Sequence, residues 1–129
     1  MQIQIKNSTE QLNQILSVLR QQHYMEALDR YKRFLNKRPQ ALPIILLTLN
    51  QELSKDLNNS HLKIIISELY FMSDLYDDAF FELQEIYDYD KTFSQTYYLL
   101  NKLYKKTSNK SYIVPIFHDA IEHNIFDSV

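Results

Sequence analysis

The chain has no glycine among its 129 residues. Glycine is the residue that takes positive φ at no steric cost, so tight β-hairpins, Schellman helix ends and phosphate-cradling loops all lean on it. Glycine-rich nucleotide-binding loops are thereby excluded, and Asn, Ser and Asp are left to terminate the helices. Apolar residues recur at three- and four-residue spacing almost throughout, and only 1–5 alternates cleanly. The expected fold is therefore all-α. With 45% hydrophobic and 23% charged residues the chain can bury a real core.

About seven helices follow from the pattern. Ser8 and Thr9 are placed to cap a first helix running to about Gln22, with Leu12, Ile15, Leu16 and Leu19 in one stripe. A second, about 25–37, carries Ala27, Leu28, Tyr31, Phe34 and Leu35 inward and stops before Pro39, with Lys37 and Arg38 at its negative end. A third, about 41–57, tolerates Pro43 in its first turn, and its apolar run 44–49 suggests burial. Ser60 is placed to cap a fourth through about Met72, with Ile64, Ile65, Leu69 and Tyr70 inward and Ser73 and Asp74 closing it. A fifth, about 76–87, groups Ala79, Phe80, Leu83 and Ile86. A sixth, about 92–106, groups Tyr97, Leu100, Leu103 and Tyr104. A seventh, about 110–123, places Ile113, Phe117, Ala120 and Ile121 inward and must start late or kink at Pro115.

Composition removes several function classes. Without cysteine there is no disulfide, thiolate or Cys-based zinc chemistry, and an intracellular protein is the simplest reading. The start MQIQIKNSTE lacks the apolar run of a signal peptide, and the longest apolar stretch, 41–49, is far short of the roughly 20 residues that span a bilayer. A soluble, cytoplasmic protein without membrane insertion is expected. A net charge of −2 argues against nucleic acid, whose phosphates demand a basic surface.

Three stretches can be laid over one another. Tyr24, Met25, Glu26, Ala27 and Leu28, followed by Tyr31, Phe34, Leu35 and Pro39, resemble the second half of a tetratricopeptide repeat in the spacing of its small, aromatic, apolar and terminal proline positions. In 60–91, Ile66, Ser67 and Tyr70 look like that family's first-helix leucine, small and tyrosine positions. Tyr76, Ala79, Leu83 and Ile86 follow on the second helix, with Lys91 in place of the proline. A third copy starts near Ser94, with Tyr97, Leu100 and Tyr104, then Phe117 and Ala120, while Asn101 and Ile113 occupy small-residue positions. Its offset from the second copy is the family's period of about 34 residues.

The resemblance implies one domain of antiparallel hairpins, about 8–39, 60–91 and 94–127, stacked as a short right-handed solenoid and open to being part of a longer repeat protein. The first two copies, aligned through Ala27 and Ala79, are about one and a half periods apart, so the helix 41–57 stands outside the register. It either starts a divergent repeat or marks an irregular stack, and a non-repeat helical bundle is the structural alternative.

In such a stack the first helices line a concave groove that holds a peptide. Carried onto this chain, the implied groove positions include His61, Glu68, Phe71, Tyr98, Lys102 and Lys105. They do not match the basic and asparagine clamp by which some members hold C-terminal carboxylates.

Other residues carry weaker signals. His23, His61, His118 and His123 make no metal motif, since His118 and His123 are five apart and helix-face ligands sit three or four apart. No metal or cofactor is expected. Asp74, Asp77, Asp78, Glu82, Glu85, Asp88 and Asp90 run without a basic residue, and Asp77, Asp78, Glu82 and Glu85 form either a docking face for a basic partner or a solvated helix face. A solvent-facing helix does not supply the desolvated site that acid–base chemistry needs, so no enzyme is expected. Arg20, Arg30, Lys32, Arg33, Lys37 and Arg38, and Lys102, Lys105, Lys106 and Lys110, are solvated charges or contacts for an acidic partner. Ten tyrosines and seven phenylalanines supply the core and any interface.

The function expected is a scaffold or adaptor holding a protein or peptide. A secretion or assembly chaperone shielding a client segment, and a small all-α enzyme or regulatory subunit using a pocket at His61 or His118, are the rivals. Self-association through the terminal helices is also open.

Overall fold

A computed structural model describes residues 2–109, with side chains from residue 7 onward. Among the described residues are six α-helices and no strand: α1 (Gln2–Arg20), α2 (Tyr24–Lys37), α3 (Leu42–Leu53), α4 (Ser60–Met72), α5 (Tyr76–Tyr89) and α6 (Ser94–Thr107). A 3₁₀ turn, Pro39–Ala41, precedes α3. The expected seventh helix lies outside the described residues. The chain gathers into two compact units, Met1–Ser54 and Lys55–Val129.

In the first unit α1 begins at Gln2, so Ser8 and Thr9 lie within the helix and do not cap it. The alternation at 1–5 makes no strand, because a strand without a partner has nothing to satisfy its backbone, whereas a helix satisfies its own. Ile15 and Leu19 are buried, Leu12 and Leu16 half-buried. On α2 all five expected core residues are buried, and Ala27 is wholly enclosed. Arg38 leaves the helix at φ −136°, as the residue before a proline must, and Pro43 sits in the first turn of α3.

Two expectations for the third helix fail. It ends at Leu53, not near 57, and the run 44–49 is not buried as a block: Ile45 and Leu49 are enclosed, while Ile44 and Leu47 are more than half exposed. A helix packed on one side buries a stripe at three- and four-residue spacing, here Leu42, Ile45, Leu49 and Leu53, whatever its composition. The far ends of α1 and α3 are tied by Arg20 Nε, which donates to Glu52 Oε1 at 2.6 Å. Burial, with Glu52 nearby and Arg20 opposing it, pushes the Tyr31 hydroxyl up to about 12.

In the second unit the cap of α4 is Asn59, not Ser60. Asn59 is extended and its Oδ1 accepts from the Leu62 N–H at 3.2 Å, satisfying one of the orphan donors of the first turn. Asn59→Ala is expected to cost about 1 kcal/mol in a urea titration, with Ser60→Ala closer to neutral. Ser73 and Asp74 close α4 as expected. Seven of its residues, Leu62 to Ser67 and Leu69, are buried, more than the single stripe anticipated. The core joins Ile64 to Leu83 and Ile86 of α5 and to Tyr97, Leu99, Leu100 and Leu103 of α6. Phe80 and Tyr104, expected inside, pack against it half-buried. Lys63 meets Glu85 and Ser67 meets Ala79, so partner numbers run in opposite senses and α4 and α5 are antiparallel.

Among the described residues each unit has three helices, and the second repeats the plan of the first at a constant offset. Gln22 and Asp74 both take positive φ (65° and 63°). Each stands one residue after a helix-closing turn in which the next N–H reaches five residues back, His23 to Val18 and Leu75 to Tyr70. This is the Schellman geometry, here made without glycine. Tyr24 and Tyr76 then open the second helices, Ala27 and Ala79 are buried on them, Arg38 and Asp90 cap their ends at φ −136° and −146°, and Leu42 and Ser94 open the third. The helix that stood outside the tetratricopeptide register is thus the third member of a three-helix unit.

Candidate functional site

Two faces of the second unit hold the residues singled out above. On the first, α4 and α6 run in parallel: His61 packs edge-on against Phe93 with centroids 5.4 Å apart, and further along Glu68 meets Lys102 at 3.6 Å, so that partner numbers rise together. The Lys102 ammonium also lies 4.8 Å from the centroid of the Phe71 ring, a cation–π distance, and Phe71 stands edge-on to Tyr76 at 5.6 Å.

Of the six expected groove residues, Glu68, Phe71 and Lys102 therefore form one cluster. His61 sits separately against Phe93. Tyr98 and Lys105 share the Lys102 face of α6 by their spacing of four and three, and both are exposed, Tyr98 at 60%. Phe93 and Tyr76 were not expected at this face. Both stand at helix starts, and aromatic residues beside a turn were the available signal.

On the second face the acidic residues divide. Asp77 and Asp78 lie in the first turn of α5, where the helix dipole favours negative charge. Glu85 is held by Lys63, whose buried side chain reaches across from α4 with Nζ 2.9 Å from Oε2. Glu82 departs furthest from the expected solvated face. Its Oε2 is enclosed and accepts no hydrogen bond from the described residues. Burial first, then the Glu85 charge, pushes its carboxyl up to about 7, with Asp78 adding and Lys63 opposing. The neighbouring Tyr70 hydroxyl is raised as well, by burial and then by Asp78 and Glu82. The acidic run, which has no basic residue along the sequence, acquires one in space.

His23 Nδ1 lies 3.7 Å from Glu26 Oε2, and His118 and His123 fall outside the described residues. Among the described residues no group of three or more His, Asp or Glu is placed to hold a metal ion, and no helix is long and apolar enough to cross a membrane. No family model, curated protein sequence or solved structure matches this chain.

Proposed function

We propose that this chain is a non-catalytic interaction module of tetratricopeptide-like design, working in the cytoplasm as a scaffold or adaptor that holds a peptide or protein segment against the α4–α6 face. The observation that carries this reading is the pairing of Glu68 with Lys102. Their separation along the chain is one period of that repeat, about 34 residues, and they lie side by side on α4 and α6, which run parallel as the first helices of neighbouring repeats do in such a stack. Around them the face offers the large amphipathic surfaces interfaces favour, with Tyr98 turned outward and Lys102 already fixed over Phe71.

Tyr98 and Lys105 are the residues to test, because both are exposed and neither supports the core. A photo-crosslinking amino acid placed at Tyr98 in the native organism is expected to trap one discrete protein. Tyr98→Ala with Lys105→Glu should then reduce capture of that protein about tenfold or more, the loss typical of an interface anchor, while the thermal midpoint stays unchanged. Undiminished capture by the double variant would remove the reading.

A further inference from the structure

The first unit carries a second feature that the α4–α6 face does not use. Residues 1–54 contain seven Lys and Arg against four Asp and Glu, in a chain whose total is −2. Four of the cations converge on one cleft of about 280 Å³ between α1 and α2, where Arg30, Arg33, Lys37 and Arg38 face Gln11 and Gln14. Phe34 and Arg38 also line an adjoining cleft of about 360 Å³, whose walls include Leu12, Ala41 and the exposed Ile44. A basic trough thus runs into an apolar notch.

From this juxtaposition we infer that the α1–α2 face of the first unit docks an acidic peptide segment bearing one large apolar side chain. Arg30, Arg33 and Lys37 lie along one side of α2 over two turns, a rise of about 10 Å at about 1.5 Å per residue. An extended chain rises about 3.3 Å per residue, so carboxylates three residues apart match that span. Arg30 and Arg33 each meet one carboxylate of their own helix, Glu26 and Asp29, in exposed pairs that contribute little and exchange readily for an incoming acid. Lys37 makes no ion pair among the described residues. The Arg38 guanidinium lies 4.8 Å from the Phe34 ring centroid, which holds it at the junction of the two clefts, where its N–H groups suit a carboxylate. The apolar side chain enters beyond it, against Leu12, Phe34, Ala41 and Ile44.

The test uses the full chain and a fluorescein-labelled peptide with two Glu three residues apart followed by Phe, titrated by anisotropy at low salt. Saturable binding is expected, weakening as salt is raised. Arg33→Glu with Lys37→Glu should weaken it about tenfold or more, and replacing the peptide Phe by Ser, or Ile44→Asp in the protein, several-fold. Tyr98→Ala with Lys105→Glu should leave it unchanged, so failure here and failure of the α4–α6 reading are told apart. Equal binding of a peptide with Gln in place of Glu, or of the charge-reversed protein, would overturn the inference. So would light scattering that shows the chain associating with itself through the same salt-sensitive, Arg33- and Lys37-dependent contact, since the occupant would then be a second copy.

Discussion

Replacing Glu82 by Gln is expected to stabilise the protein at pH 8 and to leave it unchanged at pH 4. The Glu82 carboxyl is raised from 4.5 to about 7, first by burial and then by Glu85. The folded chain therefore holds this proton more tightly than the unfolded chain does. Stability contributed by the neutral acid is complete below about pH 4.5, falls as pH rises toward 7, and is gone above that. A shift of this size corresponds to about 3 kcal/mol for a carboxyl sealed from water. Glu82 is only half-buried, and solvent screening reduces the figure to about 1–2 kcal/mol.

The groups that face Glu82 make the prediction specific. Lys63 and Tyr70 come from α4, Asp78 and Glu85 from α5. Lys63 alone lowers the Glu82 value, so Lys63→Met should move the fall in stability to higher pH and deepen it, and adding Glu82→Gln should recover part of the loss. Asp77→Asn, which removes a charge of the same helix that is not among those acting on Glu82, is the control and should leave the fall toward pH 7 in place. Urea midpoints of these proteins from pH 4 to 8 decide the matter. Parallel profiles for wild type and Glu82→Gln would show that the enclosed carboxylate is solvated after all.

This site also marks where the sequence stops being legible. The spacing 78, 82, 85 puts three carboxylates on one side of α5, but the sequence of α5 does not say which side α4 covers, and a buried lysine from another helix cannot be seen in it. The α2 stripe was legible in full because one helix packed on one side needs only its own periodicity. The same logic missed Ile44 and Leu47, where the composition of α3 outweighed its period. Asp74 and Ser108 end helices at positive φ as the lack of glycine requires, but Gln22 does the same without special aptitude, held between its own N–H on the Leu19 carbonyl and the His23 N–H on the Val18 carbonyl. Glu68, Phe71 and Lys102, which the structure brings together, were singled out only through the tetratricopeptide resemblance. The three-helix plan was not found, although Tyr24 with Tyr76 and Ala27 with Ala79 already stood at one common offset, because a period taken from one family assigned the intervening helix to no repeat.

That plan leads to the other large effect. Leu103 of α6 is fully enclosed in the core made with Leu83, Ile86, Tyr97 and Leu100, and Leu49 of α3 is as deeply buried. Leu→Ala at either position removes apolar contacts and leaves a cavity, costing about 2–5 kcal/mol depending on how far the surroundings collapse. Domains of this size have only about 5–15 kcal/mol in hand, so the loss is a large part of the whole. Because the chain gathers into two compact units, Leu103→Ala is expected to raise amide exchange chiefly in α4, α5 and α6, and Leu49→Ala chiefly in α1, α2 and α3. Exchange that rises equally in all six helices for both variants would show a single cooperative body, with the repeated plan a repetition of form and not of folding. Local exchange would mean that each unit carries its stability separately, so that a ligand held by one face raises protection in that unit first.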